Sequence, residues 1–314
     1  MGRRAKPSPF SLVFPYLDSH APTAQSDPVV KTVSQHAVAP PAEIHPVLRA
    51  LLSRPTPAVM GVLNVTPDSF SDGGQFLEPD KALAQAKRLI ADGADIIDIG
   101  AESTRPYGGA QPVSADMELR RLQPLLAEIV ALGVPVSIDS MKAEVVAWAL
   151  DQGAAIANDV WGLQRDGAMA GTIGARKAPV IVMHNRDRAD PGIDIVADIA
   201  AFFTRSLDIA ARAGIIRENI VLDPGIGFGK TQEQSLIVLA QLSELNVFGL
   251  PLLVGASRKV FIASVSPSEP QQRLGGSIAA HLLAAQRGAR IIRTHDVAET
   301  VQALRVAAAI EERQ

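Results

Sequence analysis

The chain has no cysteine among its 314 residues. A disulfide framework, a thiolate zinc site and a cysteine nucleophile are therefore excluded, and the composition fits a reducing compartment. No apolar stretch reaches the roughly 18 residues needed to cross a bilayer, so no membrane partner is expected. The formal net charge of -3 is too close to balance to indicate nucleic acid as the main partner. We expect a globular protein of the cytoplasm.

Residues 1–50 differ in amino-acid composition from the rest of the chain. They are rich in Ser, Pro and Ala, and no apolar core follows the opening Met-Gly-Arg-Arg-Ala-Lys-Pro, so a secretory signal is rejected. A transit peptide remains an alternative, although Asp18 and Asp27 count against it. We expect a poorly ordered N-terminal extension followed by one domain over residues 51–314.

One unit recurs through that domain: a short β-branched run, a polar loop and an amphipathic helical stretch. The predicted strands cover residues 58–65, 95–100, 134–139, 155–159, 178–184, 220–225, 251–257 and 289–295. Helical patterns cover 80–91, 115–132, 143–152, 195–213, 232–245, 272–287 and 298–312, with a weak one over 164–176. Glycines that follow five of these helices are typical C-caps. Eight such units predict a single α/β domain, a closed (β/α)8 TIM barrel.

Polar residues stand at the C-terminal end of every predicted strand. In chain order they are Asn64, Asp98, Asp139, Asn158, His184, Asp223, the run Ser257, Arg258 and Lys259, and finally Arg293 with His295. Barrel enzymes gather these ends at one mouth, so the ring predicts a shared site, although single members could be turn or capping residues. The acids and amide suit a flat, donor-rich heterocycle, and the cations suit phosphate oxygens. Two glycine-rich loops, 66–74 and 101–109, are predicted lids.

Several motifs do not survive inspection. The segment 223–231 (DPGIGFGKT) resembles a phosphate-binding loop, but Pro224 occupies the first glycine position and Lys230 breaks a dinucleotide fingerprint. No His-Glu-x-x-His pattern occurs, so a zinc hydrolase is not expected. His184 has two interpretations: a functional residue, or a histidine whose hydrogen bonds are satisfied at a strand end.

The strand-end segments resemble the dihydropteroate synthase family. The matching motifs occur in family order at 61–73 (GVLNVTPDSFSDG), 97–106 (IDIGAESTRP), 137–140 (SIDS), 157–160 (ANDV), 223–230 (DPGIGFGK), 255–259 (GASRK) and 293–297 (RTHDV). The resemblance covers about residues 57–310. It implies the condensation of 6-hydroxymethyl-7,8-dihydropterin diphosphate with p-aminobenzoate, with release of pyrophosphate, by a homodimer that uses Mg²⁺.

The resemblance also implies a role for each matched position. Asn64 is the expected Mg²⁺ ligand, and Asp98 is a buried acid beneath the site. Arg105, Arg293 and His295 are the expected diphosphate contacts. Pterin contacts are expected from Asp139, Asn158, Asp223 and Lys259, and Met183 and Gly227 are further expected substrate-binding residues. Thr104, Pro106, Phe228, Ser257 and Arg258 are expected around the aminobenzoate. Of these, Asp139, Asp223, Lys259 and Arg105 are the predicted catalytic residues.

Two departures and two rival functions accompany this hypothesis. The fifth strand ends Met-His-Asn-Arg (183–186), where the family often shows Met-His-Met, and Ser140 replaces a more usual Thr. A pterin-binding methyltransferase would share the barrel but would not need the Ser-Arg-Lys and Ser-Thr-Arg-Pro elements. A silent paralogue that only binds pterin would be expected to lose Asn64, Arg105 or the Arg-x-His pair, all of which are present.

Overall fold

Eight parallel strands close into a barrel in sequence order, each paired with its neighbours and β8 paired with β1. The computed structural model describes residues 44–65, 78–102 and 113–313. The strands are β1 (Ala58–Asn64), β2 (Ile96–Gly100), β3 (Val136–Asp139), β4 (Ile156–Asp159), β5 (Val180–Met183), β6 (Ile220–Asp223), β7 (Leu252–Val254) and β8 (Ala289–Thr294). The predicted (β/α)8 fold is therefore confirmed.

Helices cover the outside of the barrel. They are α1 (Pro46–Leu52), α2 (Glu78–Ala91), α3 (Ala115–Leu122), α4 (Leu126–Val130), α5 (Ala143–Asp151), α6 (Met169–Arg176), α7 (Ile195–Arg212), α8 (Gln232–Ala240), α9 (Val260–Val265), α10 (Leu274–Gln286) and α11 (Val297–Glu311). No helix in the described ranges is long and apolar enough to span a bilayer. The weak helical pattern after β4 is a true helix, and α9 has no counterpart among the predicted elements.

The helix predicted over residues 115–132 is two helices. α3 ends at Leu122 and α4 begins at Leu126, with Pro124 between them. Proline has no backbone N–H to donate, so it interrupts the i to i−4 ladder at this point. The helix predicted over 232–245 is also shorter, because a 3₁₀ helix, Leu242–Phe248, follows α8.

The lower end of the barrel is closed by α1. Leu48 and Leu51 from this helix are buried in one cluster with inward-facing residues of the strands, namely Ala58, Met60, Ile96, Ile156, Ile181, Val221, Leu253 and Ile291. Arg290 at the start of β8 donates Nη2 to the carbonyls of Leu52 (2.7 Å) and Arg54 (2.8 Å). The boundary expected at residue 50 thus falls inside α1. With this end filled, a ligand has to enter at the opposite end, where the strands terminate.

Candidate active site

Two buried acids share one arginine at the mouth of the barrel. Arg293 on β8 donates Nε to Asp98 Oδ2 at 2.7 Å and Nη2 to Asp139 Oδ2 at 2.9 Å. Asp98 on β2 is fully buried, and Asp139 at the end of β3 is 6% exposed. Although burial opposes it, the charges of Asp98 and Asp139 raise the pKa of Arg293, so this guanidinium stays charged. The three strands thereby place a cation and two acids in one network.

The two carboxylate oxygens of Asp139 have different surroundings. Burial and the charge of Asp98 raise its pKa to about 7, against the opposing charge of Arg293. Its Oδ1 is buried and has no hydrogen-bond partner within the described part of the chain. A buried acceptor of this kind is costly, and such groups concentrate where a ligand completes the set.

Asn158 and Asp159 illustrate how strand alternation separates neighbours. Asn158 Nδ2 lies 3.3 and 3.2 Å from the two carboxylate oxygens of Asp98, inside the mouth. Asp159 accepts from the backbone N–H groups of Trp161 (2.9 Å) and Leu163 (2.6 Å) instead. Because successive side chains of a strand point to opposite sides, Asn158 belongs to the site and Asp159 shapes the loop that follows.

Asp223 ends β6 and begins a glycine-rich turn. Its Oδ1 accepts from the N–H of Gly225 at 2.7 Å. Burial raises the pKa of this carboxyl to about 6, although the Gly225 N–H and the charges of Arg293, Lys230 and Lys259 oppose the shift. Gly225 has φ +67°, and a Cβ there would lie 2.0 Å from the carbonyl oxygen of His184. Only glycine fits this position, so the turn holds Asp223 in the mouth.

Lys259 and Phe228 come together from two different loops. The Lys259 Nζ lies 4.1 Å from the centre of the Phe228 ring, a cation–π distance. Gly227 has φ +78°, a backbone conformation that favours glycine, and its Cα faces the Lys259 stem, since a Cβ there would lie 3.4 Å from Lys259 Cδ. Met183, at the end of β5, is buried. Asn64 ends β1 and is half-buried.

The cation cluster expected around β7 and β8 is smaller than the sequence indicated. His295 Nδ1 contacts Ser257 Oγ at 3.0 Å. Burial, with the charges of Arg293, Arg258 and Lys259, lowers the pKa of His295 to about 3, so the imidazole is neutral at neutral pH. Arg258 is charged, but its Nε donates to Asp296 at 3.0 Å. Arg293 is thus the cation in direct contact with Asp98 and Asp139.

Part of the predicted site lies outside the described residues. Thr104, Arg105 and Pro106 belong to this part, as do the predicted lid 66–74 and all of the predicted lid 101–109 except its first two residues. Glu102 is described: it accepts from Lys142 Nζ at 2.7 Å, and Lys142 also pairs with the buried Glu118.

One group of side chains escaped the sequence reasoning. Lys230 is 1% exposed and its Nζ lies 2.7 Å from His184 Nδ1, while His184 Nε2 lies 3.0 Å from Asp198 Oδ2. His184 is therefore satisfied at a strand end, one of the two alternatives left open for it. The signal that could have revealed this group is Lys230 itself, which ends the matched motif 223–230.

The sequence is similar to that of known pterin-binding proteins. The sequence profile of the pterin binding enzyme family matches residues 60–295. Dihydropteroate synthase of Bacillus subtilis (strain 168) is 44% identical over 266 residues, which cover 84% of this chain and 92% of the relative. The chain belongs to the dihydropteroate synthase family.

Solved structures of dihydropteroate synthases share the barrel. The enzyme from Clostridium difficile, crystallised in the presence of pteroic acid, superimposes with a TM-score of 0.79 at 47% identity, covering 81% of this chain and 97% of that one. The enzyme from Xanthomonas albilineans with 4-aminobenzoic acid gives a TM-score of 0.79 at 44% identity, covering 83% and 94%. The resemblance drawn from the strand-end motifs is confirmed.

Proposed function

We propose that this protein is a dihydropteroate synthase, which joins 6-hydroxymethyl-7,8-dihydropterin diphosphate to p-aminobenzoate and releases pyrophosphate. The observation that carries the proposal is the buried mouth of the barrel, where Asp98, Asp139, Asn158, Asp223 and Arg293 converge from five strands. Such a set of acceptors and donors matches the edge of a pterin, which is a flat ring rich in N–H groups. Relatives whose structures hold 4-aminobenzoic acid or pteroic acid support the same chemistry.

Recognition of the pterin falls to the residues on β4 to β7. Asp223 offers a carboxylate, and Asn158 offers an amide whose Nδ2 is directed at Asp98, so its carbonyl oxygen remains for a ligand N–H. Lys259 supplies a cationic donor to a ring carbonyl or nitrogen. The buried Met183 would supply an apolar side of this pocket and Gly227 a backbone side. A ring held on several edges at once is oriented before it reacts.

The diphosphate belongs at the side of the mouth formed by β1 and β8. Arg293 and the neutral His295 lie there. Arg105, which lies outside the described residues, is expected to share this role. The described residues contain no group of three or more His, Asp or Glu side chains that could cage a metal. This fits Mg²⁺ arriving on the diphosphate, because Mg²⁺ keeps waters and binds few protein ligands. Asn64, an amide at the end of β1, would be its ligand, and the ion would help to neutralise the leaving group.

The reaction exchanges a C–O bond for a C–N bond at the pterin methylene. As pyrophosphate departs with the electron pair of the C–O bond, positive charge develops on the methylene and its ring. A carboxylate at Asp139, whose Oδ1 is buried and unpartnered, would stabilise that charge. The neutral aryl amine then attacks with its own lone pair and releases one proton to solvent or pyrophosphate, so no strong base is needed. Exclusion of water protects the cation from hydrolysis.

The aminobenzoate would lie against the β7 side of the mouth. Phe228 offers an aromatic face, already held beneath Lys259, and Ser257 offers a hydroxyl at the bottom of the loop. Arg258 is a candidate for the carboxylate end, although it is paired with Asp296. Thr104 and Pro106 complete the expected surroundings.

The decisive assay measures pyrophosphate release from the pterin diphosphate with and without p-aminobenzoate. We expect release that depends on both p-aminobenzoate and Mg²⁺. Pterin binding without any aminobenzoate-dependent turnover would favour a silent paralogue, and turnover of a methyl donor instead would favour a methyltransferase. By calorimetry, Asp223→Ala and Lys259→Ala should each weaken pterin binding substantially. Unchanged affinity in either variant would defeat the assignment of that residue.

Dimerisation and location are parts of the same proposal. The neighbouring helices α10 and α11 expose Leu283, Val306 and Ile310, which would suit a homodimer formed through outer helices. Leu283→Glu combined with Val306→Glu should then give a monomer by light scattering, whereas Val247→Glu, at an exposed valine outside these helices, should not. An unchanged mass in the double variant would exclude this surface. A cytoplasmic location fits the cysteine-free composition.

A further inference from the structure

Behind the pterin side of the mouth, four charged or polar side chains form one continuous chain of contacts. Lys230 Nζ lies 2.7 Å from His184 Nδ1, His184 Nε2 lies 3.0 Å from Asp198 Oδ2, and Arg186 Nη1 lies 2.8 Å from the same oxygen. Lys230 and His184 are buried, whereas Asp198 and Arg186 are half-buried. This series of contacts thus runs from the buried Lys230 to the half-buried Arg186, near solvent.

The hydrogen-bond directions follow from the charge states. Burial and the charge of Lys230 lower the pKa of His184 to about 3, so its ring is neutral. Its Nδ1 then accepts from the Lys230 ammonium, and its Nε2–H donates to Asp198. Although burial opposes it, hydrogen bonds from Arg186 and His184 lower the pKa of Asp198. A neutral histidine between a cation and an anion fixes one tautomer and one ring orientation.

The same lysine contacts the turn that carries Gly227 and Phe228, two predicted substrate contacts. Its Nζ donates to the carbonyl oxygen of Phe228 at 3.1 Å. The backbone of this turn lies directly on the end of β5, since a Cβ at Gly225 would lie 2.0 Å from the oxygen of His184 and one at Gly229 would lie 2.5 Å from the oxygen of Arg186. The position of the Phe228 ring, and of Lys259 above it, therefore depends on how Lys230 is held.

Lys230 also acts on Asp223 through its charge. Within the described residues, the main charged groups that act on Asp223 are Arg293, Lys230 and Lys259. Those that act on Lys230 are Asp223, Asp198, Lys259 and Arg186. Burial lowers the pKa of Lys230 to about 7, partly offset by Asp223 and Asp198. Below that pH the lysine is a cation whose charge acts on the buried Asp223 carboxyl group. An opposite charge nearby favours the ionised form of a carboxyl group.

We propose that Lys230, oriented by His184 and Asp198, is a positioning residue that keeps Asp223 ionised for the pterin and holds the Phe228 turn in place. This inference rests on the proposed function, in which Asp223 receives N–H groups of the pterin ring. In this proposal Lys230 acts on the pterin through Asp223 and the Phe228 turn. Its contribution should be visible in the pterin dissociation constant at acidic pH.

The test measures the dissociation constant of 6-hydroxymethylpterin from pH 5.5 to 8.5 for the wild type and for Lys230→Met. Loss of the cation should raise the pKa of Asp223 by about 1 unit or more. The ratio of variant to wild-type dissociation constants should then grow towards about tenfold below pH 6 and fall towards a constant value above pH 8. The ligand titrates identically in both experiments, so its own ionisation cancels. A ratio independent of pH would mean a merely structural role and would overturn the proposal.

A matched pair at the histidine provides the second arm. His184→Asn retains an acceptor close to the position of Nδ1, whereas His184→Leu removes it. At acidic pH, we expect pterin binding to be weakened more in His184→Leu than in His184→Asn. Equal pH profiles for the two variants would contradict the orienting role, and this comparison decides the question if Lys230→Met does not fold. If the wild type binds no pterin at any pH, the proposed function fails instead, so the two failures are distinguishable.

Discussion

Replacement of Arg293 by methionine is the sharpest perturbation that the structure offers. Methionine keeps much of the aliphatic stem but removes the guanidinium that bridges Asp98 at 2.7 Å and Asp139 at 2.9 Å. The side chains of the two acids are 0% and 8% exposed, so water does not replace the lost contacts. Arg293→Met therefore leaves two neighbouring carboxyl groups buried without their shared cation.

The expected cost follows from burial. Removal of one partner from a buried ion pair typically destabilises a protein by about 3–5 kcal/mol, mainly through the charge that is left behind. For a domain of this size, 1 kcal/mol lowers the melting temperature by roughly 2–4 °C. We therefore expect a decrease of about 10 °C near pH 8, together with loss of activity.

The loss should depend on pH in a defined direction. The folded-state pKa of Asp139, about 7, lies above its ordinary value of 3.8. Folding therefore favours the neutral carboxyl group, and stability from this group is present at low pH and lost as the pH rises from about 4 through 7. Without Arg293 the pKa rises further. The destabilisation should thus be largest near pH 8 and smaller near pH 5.

Thermal unfolding of both proteins at pH 5, 6, 7 and 8 measures this effect. Arg293→Met/Asp139→Asn is the matched control, because it removes one of the stranded acids and should recover part of the loss at pH 8. A decrease below about 2 °C at pH 8 would contradict the stated cost of a buried charge. A decrease that is the same at every pH, with no recovery in the double variant, would refute the electrostatic explanation.

Three further variants test other parts of the structure. His281 on α10 is buried, and neither ring nitrogen has a partner in the described ranges; His281→Leu should raise stability by about 1 kcal/mol in urea denaturation. Burial also lowers the pKa of His281 to about 4, so the wild type should lose stability from pH 6.5 towards 4 and the variant should lose less; a less stable variant would show that the ring has a partner. Gly225→Ala places a Cβ 2.0 Å from a carbonyl oxygen, so the backbone of the turn has to shift and pterin binding should weaken at least about tenfold. Gly167→Ala adds a Cβ in open space and should leave the affinity unchanged. Equal affinities of the two variants would exclude the clash. Leu48→Ala should cost about 2–5 kcal/mol in thermal unfolding without changing turnover at 25 °C, and a change in turnover would show that the two ends of the barrel are coupled.

Much of the fold was already determined by the order of residue types along the chain. Near-continuous β-branched runs such as 96–100 can be buried on both faces only in a parallel sheet covered by helices. Glycines such as Gly93 and Gly153, with φ +100° in both, mark helix ends because only glycine adopts that backbone conformation cheaply. The polar strand ends predicted a common mouth, since parallel strands place their carboxyl ends together. These signals depend on residues close together in the chain, so they can be recognised from the sequence alone.

Contacts between distant segments were decided only by the tertiary structure. Arg293 and Asp98 are 195 residues apart, and Lys230 and His184 are 46 apart; no spacing rule pairs such residues. The structure alone also showed that α1 fills the lower end of the barrel and that His295 is neutral at neutral pH. Burial and the charges of neighbours set the protonation of a side chain, and both arise only when the chain is folded. The sequence therefore determined which groups reach the mouth, and the tertiary structure decided how they pair and which of them carry charge.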